Sequence, residues 1–576
     1  MGAPGFTPTP TYKNKKEETT MLTRKGATVR PLPPLKPLTL ALFALAASQA
    51  QAFEIDTGNP DLRIRWDNTL KYSAAWRTEG ASSKLTQGQT ALNLDDGDRN
   101  FNKGLISNRL DLLSEMDITY GNVGARVSGA AWYDDVYNQG TDNNDSSRGN
   151  SYTVGSDKFT DDTRTLHGRK GELLDAFIFG KTEIGEMPVS GRLGQYAMQW
   201  GESLFYGMNG IAGGMAPVDV VKGLSVPNTQ FKELIRPVKQ MSGQLQLTPD
   251  VSLGAYYQFE WEANRLPAAG SYFSNDDFFG DGSERLFVGT PVMPGGQPLA
   301  FYHGKDKDAK DSGQGGVQLR WRTETVDWGL YAIRFHDKSP QLNVRTDFAN
   351  LNPVTGKAGE YYWVYPQGIE ALGASFSTTL SNFNIAGELS TRWNQPLAST
   401  NQRTLLVGEA INNSDDPLYA TGRTLHANFS WLASLEPNFI SPESSFMGEV
   451  AWNRVMSISR NADAVDPNAD RDATSLRLVF EPMYRQILPG LDLSVPVGAS
   501  YTNGASMALG TGFGTNHGGD MNIGLKGNYL NTWSLGLTYT HYYGPENTFL
   551  DANSNYTFEQ SLKDRDFIAF TVSRTF

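Results

Sequence analysis

The chain has 576 residues, no cysteine and only 6 histidines. The absence of cysteine excludes disulfide bonds, thiol catalysis and metal sites with cysteine ligands. The net charge is −12, and an acidic chain is poorly suited to the phosphate backbone of a nucleic acid. The mean hydropathy of −0.42 and the lack of a mature apolar run of about 18 residues exclude a helical membrane protein. Glycine (59 residues) and aromatic residues (11%) are abundant instead, which is typical of secreted or outer-membrane β proteins.

The first 52 residues have the three parts of a secretion signal. Basic residues between positions 24 and 36 precede the apolar run 38–47, and Ala50-Gln51-Ala52 follows it. The small residues Ala50 and Ala52 have the spacing that marks a cleavage site. The apolar run is too short to span a bilayer. We therefore expect residues 1–52 to be a leader and signal peptide, cleaved after Ala52, and 53–576 to be the mature domain. Met1 and Met21 are both candidate starts.

Apolar and polar residues alternate along the mature chain with a period of two. In 251–262 the odd positions read V-L-A-Y-F-W and the even positions S-G-Y-Q-E-E, and 424–431, 491–502 and 533–540 alternate likewise. The pleat of a strand places successive side chains on opposite faces. These segments reach about ten or twelve residues, which suits a tilted transmembrane strand better than a strand of a soluble sheet.

Short and long connections separate these segments in turn. Eight tight turns, such as 121–122, 249–250 and 381–382, alternate with nine long polar stretches, such as 80–104, 138–170 and 263–313. The count predicts an all-β fold, a transmembrane antiparallel β-barrel of about 16–18 strands with long extracellular loops. Both chain ends then lie on the side of the short turns.

The C-terminal strand indicates assembly in the outer membrane. Ile568, Phe570, Val572 and Phe576 share one parity, and a closing strand that ends in Phe resembles the signal read by the barrel assembly machinery. Arg574 departs from that pattern, because an apolar residue is usual there. We expect the barrel to contact outer-membrane lipid and lipopolysaccharide, with Phe570 facing lipid, and we expect no nucleic-acid partner.

Residues 201–238 form a long connection that is unusually apolar. An exposed loop with so many apolar side chains would be costly, so we expect the segment to enter the barrel lumen and pack there. A cap packed over the barrel mouth is the alternative.

The same region resembles a proteobacterial outer-membrane family that is catalogued as domain of unknown function thirteen-oh-two. The residues that carry the resemblance are Trp200, Gly201, Glu202, Ser203, Asn209, Gly210, Pro217, Asp219, Lys232, Glu233 and Pro237. Segments 61–77 and 250–261 resemble the family too, whereas 213–216 departs from it. The resemblance implies an outer-membrane protein that moves hydrophobic or aromatic compounds, with an RND-type exporter and a periplasmic companion protein as partners. We expect these residues to form a constriction or plug.

Charged and polar side chains at the lumen parity are a second set of candidates. They are Glu260, Arg320, Arg322, Glu388, Arg392, His426, Glu449, Arg477 and Lys526. A Lys or Arg that faces lipid at mid-depth costs about 2–4 kcal/mol, so the lumen is the cheaper position. These residues either line a conducting passage or pair with each other across a filled lumen.

No cofactor, metal site or catalytic residue is predicted. The histidines are scattered, and no metalloprotease, nucleophile-elbow or phosphate-loop motif occurs. Asp466, Asn468, Asp470 and Asp472 have the alternate spacing of Ca²⁺ ligands, but Arg471 stands where the ion-binding loop needs glycine. We interpret this stretch, 95–98 and 142–145 as solvated acidic turns.

These observations favour a passive outer-membrane channel or export component for hydrophobic or amphipathic small molecules. A non-conducting surface receptor or scaffold is the alternative, and an outer-membrane hydrolase is a third hypothesis. Conduction by the purified protein separates the first hypothesis from the second.

Overall fold

The computed structural model describes residues 53–88, 90–226, 228–401, 403–409 and 416–576. The predicted signal peptide, 1–52, lies outside the described residues. Eighteen antiparallel strands close into one barrel, which confirms the predicted fold class at the upper end of its strand number. In chain order the strands are Leu62–Arg77, Gly104–Tyr120, Val123–Asp134, Arg169–Ile184, Met187–Tyr196, Val238–Thr248, Val251–Gln258, Gln314–Arg322, Val326–Phe335, Ile369–Leu380, Phe383–Pro396, Thr421–Leu435, Glu443–Arg460, Asp472–Leu488, the two-part strand Leu491–Ser494 and Val497–Asn503, Gly519–Tyr529, Trp533–Tyr543 and Phe567–Thr575.

The barrel closes where the last strand pairs with the first. The antiparallel register joins Thr69 to Thr575 and Arg77 to Phe567. Each of the other strands pairs with its sequence neighbours, so every connection is a hairpin. Nine long connections leave one end of the barrel and eight short turns the other, which is the layout expected from the sequence. Closure leaves no open sheet edge, a condition for strands that cross a bilayer.

The outer face of the barrel is apolar and the inner face is largely polar. Leu253, Val317 and Leu372 point outward and are 43%, 52% and 52% exposed. Ser252 and Gln258, at the opposite parity, are buried inside the barrel. An apolar outer band is the surface that lipid requires. Among the described residues, no helix combines the length and the apolar character needed to cross a membrane.

The long connections, apart from the one between Met187–Tyr196 and Val238–Thr248, fold into a layer over one end of the barrel. They contain a five-stranded sheet that the sequence did not predict and several short helical turns. Its strands are Arg285–Gly289, Leu299–His303, Gln341–Thr346, Lys357–Val364 and Thr404–Leu406. The helical turns of the layer are Ser83–Thr86, Thr90–Asn93, Asp96–Arg99, Val136–Asn138, Asp161–Thr163, Arg164–Gly168, Phe348–Asn350, Ala462–Ala464 and Gly510–Phe513. The remaining connection contains Ile211–Gly214, Val220–Ser225 and Phe231–Glu233. At the other end, Phe53–Ile55 adds a short hairpin to the first barrel strand.

Acidic residues of these connections are buried, so their interpretation as solvated turns is wrong for Asp95, Asp98 and Asp466. Asp98 accepts hydrogen bonds from Arg77 (2.8 Å) and Arg565 (2.5 Å), and these ion pairs join the first connection to the last. Burial favours the neutral form of Asp98, but the two guanidinium groups outweigh it and lower the pKa of that carboxyl. The partners come from distant parts of the chain, and local spacing carries no signal of them.

Candidate functional site

The inserted segment, residues 197–237, connects the strands Met187–Tyr196 and Val238–Thr248. Its first part packs against the inner face of the barrel. The Trp200 ring meets the Tyr256 ring edge to face, with centroids 4.9 Å apart. Ile211 and Met215 belong to the same buried cluster, together with Ile333 of the inner wall. Trp200, Ile211 and Met215 are therefore removed from water inside the barrel, in line with the expected packing of the segment in the lumen.

Two buried glutamates of the barrel wall bind the backbone of the inserted segment. Glu388 accepts hydrogen bonds from the backbone N–H groups of Glu202 (2.9 Å) and Ile211 (2.5 Å). Glu449 accepts hydrogen bonds from three consecutive N–H groups, those of residues 204, 205 and 206. Irregular backbone at membrane depth is stable only when its polar groups find partners, and these carboxylates supply them.

Asn209 is the most extensively bonded side chain of the inserted segment. Its amide nitrogen donates to Asn428 Oδ1 at 2.9 Å and to two backbone carbonyls of the wall, and its oxygen accepts from Asn453 Nδ2 at 3.1 Å. The same oxygen lies 3.0 Å from Nδ1 of His426. Arg392 donates to the carbonyl oxygens of residues 208 and 210 on either side. This part of the segment is fixed to three adjacent strands.

The second part of the inserted segment reaches the opposite side of the barrel. Leu224, in the short helix Val220–Ser225, packs against a cluster that contains Ile106 of the second strand and Phe567 of the last strand. Asn228 donates to Asn522 at 2.6 Å and accepts from Arg477 at 3.2 Å. Ile211, by contrast, packs on the ninth and tenth strands. The segment therefore crosses the lumen.

Two glycines of the block that carries the family resemblance, residues 200–237, lie where a side chain would collide with Glu388. A Cβ atom on Gly201 would lie 2.2 Å from Glu388 Oε2, and one on Gly210 would lie 2.7 Å from Oε1. Gly201 also has a φ of +90°, which residues with a Cβ rarely adopt. Ser203 is buried beside them. These positions allow the backbone to approach the carboxylate closely.

The remaining residues of the block shape the return of the inserted segment. Asp219 caps the helix Val220–Ser225 by accepting from Lys222 N at 2.9 Å, and it pairs with Arg265 at 2.8 Å. The carbonyl of Pro217 accepts from Arg236 N at 2.8 Å. Lys232 and Glu233 stand exposed in the turn Phe231–Glu233, and Pro237 precedes the next strand. Whether this block restricts passage stays a prediction.

The predicted lumen residues fall into two groups. Glu388, Arg392, His426, Glu449 and Arg477 all bond to the inserted segment. Arg320 bonds to the segment too, because it pairs with Glu202 at 3.3 Å. Lys526 and Arg322 pair within the barrel wall instead, Lys526 with Glu481 at 3.7 Å and Arg322 with Asp327 at 2.5 Å beside a short turn.

Glu260 lies beyond the strand to which the sequence assigned it. That strand ends at Gln258, where its ladder with Gln314 begins, instead of continuing to 262. Glu260 pairs there with Lys239 at 2.6 Å. The alternating pattern continues past the last paired residue, so parity alone overestimated the strand.

The wall that faces away from the first part of the inserted segment carries residues that the sequence analysis missed. Arg126 forms ion pairs with Glu115, Asp117 and Asp175 on neighbouring strands. The Phe177 and Phe179 rings lie beside them on the inner face, with centroids 6.2 Å apart. The period-two alternation within 123–134 and 176–184 would have assigned Arg126, Phe177 and Phe179 to the inner face. This wall is amphipathic, with paired charges next to aromatic rings.

The geometry defines a transmembrane β-barrel whose lumen is crossed by one long connection. The chain belongs to the family described as "Protein of unknown function (DUF1302)", whose model matches residues 35–576. No curated protein matches the sequence.

The chain is also similar to solved outer-membrane proteins at low identity. OccAB2 of Acinetobacter baumannii is 9% identical with a TM-score of 0.42, over 89% of this chain and 98% of that one. A BenF-like porin from Pseudomonas fluorescens Pf-5 is 11% identical with a TM-score of 0.39, over 89% and 98%. The outer membrane protein opdK of Pseudomonas aeruginosa is 11% identical with a TM-score of 0.38, over 89% of this chain and 98% of that one.

Proposed function

We propose that the protein is a passive channel of the outer membrane for hydrophobic or amphipathic small molecules, with residues 204–236 as its constriction. The observation that carries the proposal is the attachment of the inserted segment to both sides of the lumen. On one side it donates hydrogen bonds to Glu388 and Glu449, and on the other Leu224 packs against an apolar cluster. A ring of eighteen strands encloses an aqueous space unless something fills it. The segment narrows that space.

The chemistry of the remaining lining supports an amphipathic solute. Val226 of the inserted segment is 37% exposed, and the Phe177 and Phe179 rings lie on the inner face beside Arg126 and its carboxylates. Apolar side chains accept the body of such a solute, and fixed paired charges accept its polar end. An RND-type exporter and a periplasmic companion stay predicted partners, and co-purification from outer and inner membranes tests them.

The transport experiment uses purified protein in liposomes and two fluorescent solutes of equal volume. One is an aromatic amphipathic dye and the other is a labelled polar sugar. We expect the dye to cross faster than the sugar in protein-containing vesicles, with neither crossing in empty ones. Phe177→Ser should slow the dye, whereas Ile178→Ser, on the outer face of the same strand, should not. If neither solute crosses, the result supports the receptor or scaffold alternative. If both cross at the same rate, the proposed preference for amphipathic solutes is wrong.

A further inference from the structure

Three carboxylates from two long connections meet in the layer above the barrel. Asp95 and Asp96 come from the first connection, and Asp277 comes from the connection 259–313. One oxygen of each lies within 4.8 Å of the others. Asp95 is 0% and Asp277 1% exposed, so this is an interior cluster and not a solvated acidic surface.

The cluster is short of positive charge. Arg99 and Arg148 both bond to a single oxygen, Oδ2 of Asp95, at 2.6 Å. Among the described residues, Asp277 accepts hydrogen bonds only from the backbone N–H groups of Asp95 (3.0 Å) and Asp96 (2.9 Å). Within the described chain no Lys or Arg forms an ion pair with Asp96 or Asp277. Buried carboxylates without a compensating cation are costly, and like charges at this separation add to the cost.

Free coordination positions are a second and independent observation. Oδ1 of Asp95 and Oδ1 of Asp96 are both buried, and neither has a hydrogen-bond partner among the described residues. A cavity of about 30 Å³ lies beside two of the three carboxylates and is lined by Asp96, Asp277, Glu284 and the exposed Lys158, among others. A cavity larger than about 10–15 Å³ holds one water molecule, which is enough to supply a further ligand to an ion at the carboxylates.

We propose that Asp95, Asp96 and Asp277 bind one Ca²⁺ ion in this layer. Ca²⁺ takes carboxylate oxygens at roughly 2.3–2.6 Å and tolerates an irregular ligand set completed by water. The ion compensates the buried charge and ties the first long connection to the connection 259–313 over the barrel mouth. The site is separate from the proposed transport function, because none of its residues belongs to the inserted segment or the barrel wall.

Calorimetry on the full-length protein in detergent tests the site, after EDTA has removed bound metal. We expect one Ca²⁺ per chain, with a Kd of about 10⁻⁶ to 10⁻³ M. Asp277→Asn and Asp96→Asn should each weaken binding at least tenfold. The matched control is Asp466→Asn, because Asp466 is equally buried, accepts two backbone N–H groups, and lies in another connection. That variant should bind Ca²⁺ as the wild type does.

Heat-modifiable mobility on gels shows that each variant is an assembled barrel, so a loss of binding is not a loss of folding. Ca²⁺ should also protect the wild-type connection 78–103 from limited proteolysis, and should give Asp277→Asn no such protection. Absence of Ca²⁺ binding to the wild type overturns the proposal. Equal binding by Asp277→Asn and Asp466→Asn overturns it as well, because the ion is then held elsewhere.

Discussion

Glu449 shows how a single side chain holds the inserted segment. Its carboxylate accepts three backbone N–H groups of the segment and the side-chain amide of Asn428. A hydrogen bond to a charged group contributes about 1.5–3 kcal/mol, and an amide offers one acceptor oxygen in place of two. The Glu449 contact is therefore one of the main attachments of residues 204–206 to the wall.

We expect Glu449→Gln to weaken this attachment by about 1.5–3 kcal/mol, since the charge is lost and the new NH₂ group faces N–H donors. The readouts are the open-channel noise and conductance of single channels in planar bilayers, which should both rise. Glu481→Gln is the matched control, because Glu481 bonds to Ser494 and Lys526 and not to the segment. Identical traces for the two variants would contradict the anchoring role of Glu449.

Single residues were predictable from the sequence only where parity decides the matter. The alternation in 424–431 placed His426 and Asn428 on the inner face, and both lie there, buried. Their partner is Asn209, more than two hundred positions away, and no local pattern indicates that contact. The same limit explains Asp95, whose burial depends on Asp277 and Arg148 from other connections.

The barrel strand is the element that the sequence predicts best, because its two faces meet different solvents. Phe570 shares the outward parity of Ile568. Thr571 points inward, and its hydroxyl would lie 2.6 Å from a Cβ atom built on Gly536 of the neighbouring strand. We expect Phe570→Lys to lower the yield of assembled barrel strongly, since a Lys in lipid at mid-depth costs about 2–4 kcal/mol. Thr571→Lys should lower it little.

Heat-modifiable mobility on gels measures the assembled fraction of both variants at matched expression. Equal loss for Phe570→Lys and Thr571→Lys would mean that the register of the closing strand is wrong. A larger loss for Thr571→Lys would reverse the two faces of this strand.

The elements above the barrel were not predictable in the same way. The strands Leu299–His303 and Lys357–Val364 pair in parallel across two different connections. Both faces of such strands are covered by other loops, so the alternation that marks a barrel strand is absent. The tight turns were found because glycine and adjacent polar residues mark them, as at Gly121, which has a φ of +54°.

At the scale of the whole molecule, the prediction concerns export and removal of the leader, residues 1–52. We expect mass mapping of protein purified from outer membranes to give Phe53 as the first residue, because Ala50 and Ala52 have the spacing of the small residues that precede a cleavage site. Replacing Ala52 by a bulky residue should leave a longer, unprocessed form. A purified outer-membrane form that retains residues 21–52 would contradict this prediction.

The whole-molecule fold followed from strand length, parity and the alternation of short and long connections, which local sequence encodes. The course of the inserted segment across the lumen did not, although its entry into the lumen was expected from apolar composition. Its path depends on contacts with Glu388, Glu449 and Arg477, each on a different strand. An apolar composition predicts that a segment is buried. The position at which it is buried depends on contacts that exist only in the closed barrel.

The most direct test of the central claim is the single-channel conductance of the wild type against a variant that lacks residues 204–236. The deletion is closed by a short Gly/Ser linker, and heat-modifiable mobility confirms that the barrel assembles. We predict a small wild-type conductance and a several-fold larger one in the deletion variant, because an eighteen-strand ring is wide when nothing crosses it. An unchanged conductance in the assembled deletion variant would contradict the account of this segment as the constriction.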